Sequence, residues 1–185
     1  PLTDTELMFF SLGASHHGAV QSLVKWLGSE RTQIEKKIRF GDIVGSVDLL
    51  IDGIPVELKT QRTKKHTLKS HYVDQLKCYM AMLEACVGKI ITIGLINYDK
   101  PFEEFTITMS VEEIRQKREW LQHEAAMYKK ALEAKNPILA RHIIGSELEW
   151  KCGTCPYRKP CWTAEGYKVR QTFAKGKWIE VYHKE

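Results

Sequence analysis

The stretch Gly45-Ser46-Val47-Asp48-Leu49-Leu50-Ile51-Asp52-Gly53-Ile54-Pro55-Val56-Glu57-Leu58-Lys59-Thr60 constrains this chain more than any other. Two runs of aliphatic and β-branched residues flank Asp52-Gly53, a pair suited to a tight hairpin turn. Side chains alternate between the faces of a strand, so Glu57 and Lys59 share one face and Leu58 takes the other. Asp48, across the turn, can be brought to that same face. Two carboxylates and an amine would then meet on a hydrophobic hairpin, a group suited to a divalent cation and a water molecule.

An acid-x-Lys on a strand is ordinarily a solvated face, where an ion pair contributes little. The neighbours argue otherwise. Val56, Leu58 and Val47-Asp48-Leu49-Leu50-Ile51 are too apolar for a wet edge strand. The charges are therefore expected within a core sheet, where a carboxylate is costly unless a metal or a cation compensates it.

The motifs, taken in order, resemble the PD-(D/E)xK nucleases of the RecB type. They are Gly13-Ala14-Ser15-His16-His17, then Asp48 with Glu57-Leu58-Lys59, then Gln75-Leu76-Lys77-Cys78-Tyr79, then Cys152-Gly153-Thr154-Cys155-Pro156-Tyr157-Arg158-Lys159-Pro160-Cys161. Nearest in pattern are the CRISPR-associated RecB-like iron–sulfur exonucleases and their relatives in archaeal viruses and phages. The match runs from Gly13 to Cys161. It implies a restriction-endonuclease-like α/β fold, a mixed central sheet flanked by helices, with a core over residues 1–140 and a cysteine-bearing lobe over 141–185 in the same compact unit.

Composition agrees. A chain of 185 residues can bury a real core. Its formal charge of +5 favours a polyanionic partner. No apolar run is long enough to span a bilayer, and no signal-peptide pattern opens the chain. Three of the five cysteines are clustered, which argues for metal chemistry over disulfides and leads us to expect a cytoplasmic location. The chain opens at Pro1 and not at Met, so a missing or processed amino terminus is expected.

Periodicity predicts a helix over Thr5 to Leu27, strands over Lys36 to Phe40, Ile43 to Ile51 and Ile54 to Thr60, and a helix over Tyr72 to Ala85. Strands over Lys89 to Tyr98 and Phe102 to Met109 follow. Ser110-Val111-Glu112-Glu113 offers a capping box that opens a long helix to Ala134. Trp178 to Tyr182 could add a short strand. A sheet of four or five strands is expected.

The resemblance implies roles. Asp48, Glu57, the backbone carbonyl of Leu58 and His17 would hold Mg²⁺ or Mn²⁺, the imidazole suiting manganese better. Lys59 would help deprotonate or position the attacking water. Gln75 and Tyr79, four apart, share a helical face. They would bond a phosphate or the bound water and contact nucleic acid, unless they simply pack an amphipathic tyrosine on the sheet.

Arg62, Lys64, Lys65 and Lys69 form a charge run. Such a run is usually a mobile, solvated loop, but beside a phosphodiesterase site it would bind phosphates, and Tyr72 could stack on a base. Cys152, Cys155 and Cys161 have metal-ligand spacing, and the resemblance makes the metal a [4Fe–4S] cluster or zinc in a structural role. The family's fourth cysteine lies near the amino terminus, whereas this chain has none before Cys78. Cys78 and Cys86 read as core thiols.

Two functions compete. One is a metal-dependent deoxyribonuclease acting on single-stranded DNA or DNA ends, alongside CRISPR adaptation or viral replication and recombination proteins. The other is a catalytically silent scaffold of the same fold that holds nucleic acid. Intact Asp48, Glu57 and Lys59 favour the enzyme.

Overall fold

The computed structural model describes residues 11, 14–15, 18–22, 31–63, 65–95, 99–136, 139, 152, 155–174 and 177–184. Within the span expected as an amino-terminal helix, the described residues are helical. Strands β1 (Thr32–Phe40), β2 (Ile43–Ile51) and β3 (Ile54–Gln61) follow, then helix α1 (Ser70–Leu83), strands β4 (Val87–Gly94) and β5 (Phe102–Thr108), and helix α2 (Val111–Glu133). Helix α3 (Arg158–Ala164) and strands β6 (Tyr167–Ala174) and β7 (Lys177–Lys184) close the chain. The chain divides into two compact units, Pro1–Gln122 and His123–Glu185.

The first unit holds a five-stranded sheet in sequential order β1-β2-β3-β4-β5. Only β3 and β4 pair in parallel, because α1 carries the chain across between them; the other neighbours are antiparallel. This is the mixed α/β class expected from the sequence. The β2–β3 turn needs left-handed backbone twice, at Asp52 (φ 50°) and Gly53 (φ 80°), which is why Asp-Gly stands there.

The alternation of the strands sorts the core by face. Leu49, Val56, Leu58 and Ile93 cluster on one side, with Val20 packed against them. Leu76 and Met80 of α1 cluster with Ile90, Met109 and Ile114 on the other. Ile90 is the register partner of Glu57, so the odd-numbered polar residues of β3 lie on the α1 side. Helix α2 opens with the expected reciprocal box: the Ser110 amide donates to Glu113 Oε2 at 2.7 Å, and the Glu113 amide donates to Ser110 Oγ at 3.2 Å.

The second unit is built around Trp162. Its ring meets Tyr167 at 4.6 Å and Tyr182 at 5.1 Å between centroids, and the Arg158 guanidinium lies 4.5 Å from the Tyr182 ring. These contacts join α3 to the β6–β7 hairpin. The sequence reading missed β6, although Tyr167, Val169 and Phe173 alternate there with polar residues. It also gave β7 only its apolar middle, and it began β1 at Lys36 and β4 at Lys89, later than observed. Cys86, read as a core thiol, is exposed, whereas Cys78 is half-buried and burial pushes its thiol up. Among the described residues no helix is long and apolar enough to cross a membrane.

Candidate active site

Asp48 sits where two ladders are interrupted. The β1–β2 register skips the Glu35–Asp48 pair, and Glu35 takes a left-handed φ of 48°. On the other side, the β2–β3 ladder ends at Leu49 opposite Val56. One more step of that register would set Asp48 opposite Glu57. There Asp48 Oδ2 accepts the Leu58 amide at 2.8 Å, so a carboxylate replaces the missing ladder bond. The N–H and C=O of one strand residue point to the same side, so the Leu58 carbonyl is turned toward this opening as well.

Glu57 is only 1% exposed, though it is ionisable. Burial pushes its carboxyl up from 4.5 to about 7, and the neighbouring Asp48 charge adds to the rise. The Lys59 ammonium pulls the other way, donating to Glu57 Oε2 at 2.7 Å. Lys59 also donates to Gln75 Oε1 at 2.9 Å, and Gln75 Nε2 donates to the Tyr79 hydroxyl at 3.1 Å. A continuous polar chain thus runs from Glu57 through Lys59 and Gln75 to Tyr79, and burial pushes the Tyr79 phenol up.

One atom stands outside that chain. Glu57 Oε1 is buried and has no hydrogen-bond partner among the described residues. An orphaned carboxylate oxygen costs on the order of 1–3 kcal/mol or more. Together with Asp48 and the Leu58 carbonyl it makes a set of hard oxygen donors, which fits a Mg²⁺- or Mn²⁺-type cation. Among the described residues no three His, Cys, Asp or Glu side chains gather into a metal site, so a third donor must be backbone, water or a residue beyond them. His17, with Gly13 and His16, lies outside the described residues.

The β3–α1 segment is less free than its composition suggested. Gln61 is buried, and its Oε1 accepts the Thr67 amide at 2.9 Å. His66 is pinned at both ring nitrogens, Nδ1 to Thr92 Oγ1 at 2.6 Å and Nε2 to the Lys100 carbonyl at 2.7 Å. The middle of the segment is thereby tied to the sheet, while Arg62, Lys65 and Lys69 stay exposed. Lys64 lies outside the described residues. Lys59 and Lys69 place their ammonium groups 5.5 and 5.6 Å from the Tyr72 ring centroid, so Tyr72 is flanked by two cations beside the carboxylates.

Sequence reasoning missed Gly45, Gln61, His66 and Thr92. Only the buried polar character of Gln61 and Thr92 within apolar strands could have flagged them. Gly45 matters because the Tyr79 ring lies against it: an added Cβ would stand 2.7 Å from Tyr79 Cε1. Gly45→Ala should displace that ring and loosen the Gln75–Lys59 chain. We expect kcat to fall roughly ten- to hundredfold with KM little changed. Unchanged kcat in steady-state cleavage would show that Tyr79 placement is immaterial.

Cys152 is buried, and Cys155 and Cys161 are half-buried. As placed, the three do not form a metal-holding group among the described residues.

The family model for the PD-(D/E)XK nuclease superfamily matches residues 11–162. The chain belongs to that superfamily. Its members are nucleases that typically use divalent metals and act on nucleic acid. No curated protein matches. Among solved structures, the crystal structure of SSO0001 is similar with a TM-score of 0.49 and 22% identity, over 81% of this chain and 68% of that one.

Proposed function

We propose that Asp48, Glu57 and Lys59 form the active site of a Mg²⁺- or Mn²⁺-dependent deoxyribonuclease acting on single-stranded DNA or DNA ends. The observation that carries this reading is the buried, unpartnered Glu57 Oε1 beside a lysine held at 2.7 Å. Asp48, Glu57 and the Leu58 carbonyl would hold the cation, with His17 as a further ligand. When bound, that cation would acidify a water and neutralise charge on the scissile phosphate.

Lys59, steadied by Gln75, would orient the attacking water and donate hydrogen bonds to charge building on the phosphate oxygens. A new phosphorus–oxygen bond forms to water as the bond to the leaving deoxyribose oxygen breaks. The water's proton is released and the leaving oxygen takes one up. Tyr79 holds Gln75 in place. Arg62, Lys64, Lys65 and Lys69 would take flanking phosphates, with Tyr72 against a base.

The order of the motifs supports the narrower RecB-type reading and, with it, a role in CRISPR adaptation or in viral replication and recombination. The cysteine spacing alone supports a structural [4Fe–4S] or zinc centre completed from beyond the three cysteines.

The test is cleavage of end-labelled linear and of circular single-stranded DNA with Mn²⁺, Mg²⁺ or chelator. Cutting with metal that stops with chelator is expected, and the circle reports whether an end is required. Binding without cutting under every metal condition overturns the enzyme and leaves the scaffold.

A further inference from the structure

The formal charge of the chain is unevenly placed. Residues 1–122 carry sixteen Lys and Arg against sixteen Asp and Glu, so the unit with the carboxylate site is balanced. Residues 123–185 carry twelve against seven, and the whole net charge of +5 belongs to them. Most of that excess lies in the β6–β7 hairpin. Over residues 167–184 there are five cationic residues, Lys168, Arg170, Lys175, Lys177 and Lys184, and one acid, Glu180.

The register sorts the hairpin into two unlike faces. Val169 lies opposite Tyr182, and Tyr167, Val169 and Tyr182 are half-buried on the face that meets Trp162. Glu180 alternates onto that same face, where its Oε2 accepts the Tyr182 hydroxyl at 2.8 Å. The opposite face carries Lys168 across from His183 and Arg170 across from Val181, all exposed. The one acid of the hairpin is thus held on the anchored side, and the outward side carries Lys168 and Arg170.

We propose that the outward face of the β6–β7 hairpin is a nucleic-acid-binding surface that takes phosphodiester backbone through Lys168 and Arg170. Charge complementarity selects a polyanion, and superfamily membership makes that polyanion a nucleic acid. A two-stranded ribbon is also narrow enough for a duplex major groove. The proposal uses the nuclease reading only for the kind of polymer, and it concerns binding, not cleavage.

The test compares the full-length parent with Lys168→Glu/Arg170→Glu and with the milder Lys168→Gln/Arg170→Gln. Anisotropy of a fluorescein-labelled single strand and of its duplex is followed from about 50 to 200 mM salt, in chelator so that nothing is cut. Circular dichroism checks the fold. We expect at least roughly tenfold weaker binding at low salt, and a slope of log affinity against log salt shallower by about 1–2. Loss confined to the duplex, or to the single strand, supports the surface and names its ligand. Unchanged affinity and slope in the Gln variant overturn it, as does parent binding to anionic phosphatidylglycerol vesicles but to neither nucleic acid. If the parent binds and does not cut, the enzyme reading falls while the hairpin result still stands.

Discussion

Glu57→Gln will bind nucleic acid as the parent does and cut it about 10²–10⁴-fold more slowly. The amide keeps the shape of the side chain and removes the charge that a cation and Lys59 both need. It also removes a buried carboxylate that is costly to ionise, since burial holds it up at about 7. The inactive variant should therefore be the more stable protein above neutral pH in chelator, an exchange of stability for activity that active sites commonly show. Denaturant unfolding and single-turnover cleavage, run on the same preparations, read the two halves. Cleavage within about tenfold of the parent would remove Glu57 from the site. Lower stability at pH 8 would mean that its carboxylate is better solvated than its burial indicates.

Without metal, the stability of the parent will fall as the pH is raised from about 5 to about 8. A carboxyl that moves from 4.5 in the unfolded chain to about 7 in the folded one binds its proton more tightly when folded. Its contribution is full below 4.5, declines as the pH climbs through the interval, and is lost above about 7. That displacement corresponds to about 3 kcal/mol. The difference between parent and Glu57→Gln isolates it from every other titration.

Manganese should reverse the trend, because the ligand must be ionised to bind, so the rise in Tm on adding metal should grow with pH. A parent-minus-variant difference that is flat across the range would show that Glu57 titrates as an ordinary surface carboxylate.

The hairpin of Asp52-Gly53, the alternation that puts Glu57 and Lys59 on one face, the four-residue spacing of Gln75 and Tyr79, and the Ser110 capping box were all determined by the sequence alone. Each depends on turn chemistry or periodicity among near neighbours, which a short window contains. Tertiary structure decided what those residues face. Asp48 takes the Leu58 amide because the ladders open on both sides of it. Gln75 receives Lys59 because α1 crosses the sheet on that side. The cationic segment after β3 is fastened because Thr92 and Lys100, far along the chain, meet His66. The depth that raises Glu57, and the division of the β6–β7 hairpin into an aromatic and a cationic face, likewise come from residues brought together by folding. Desolvation and long-range pairing have no local period, so no local pattern announces them.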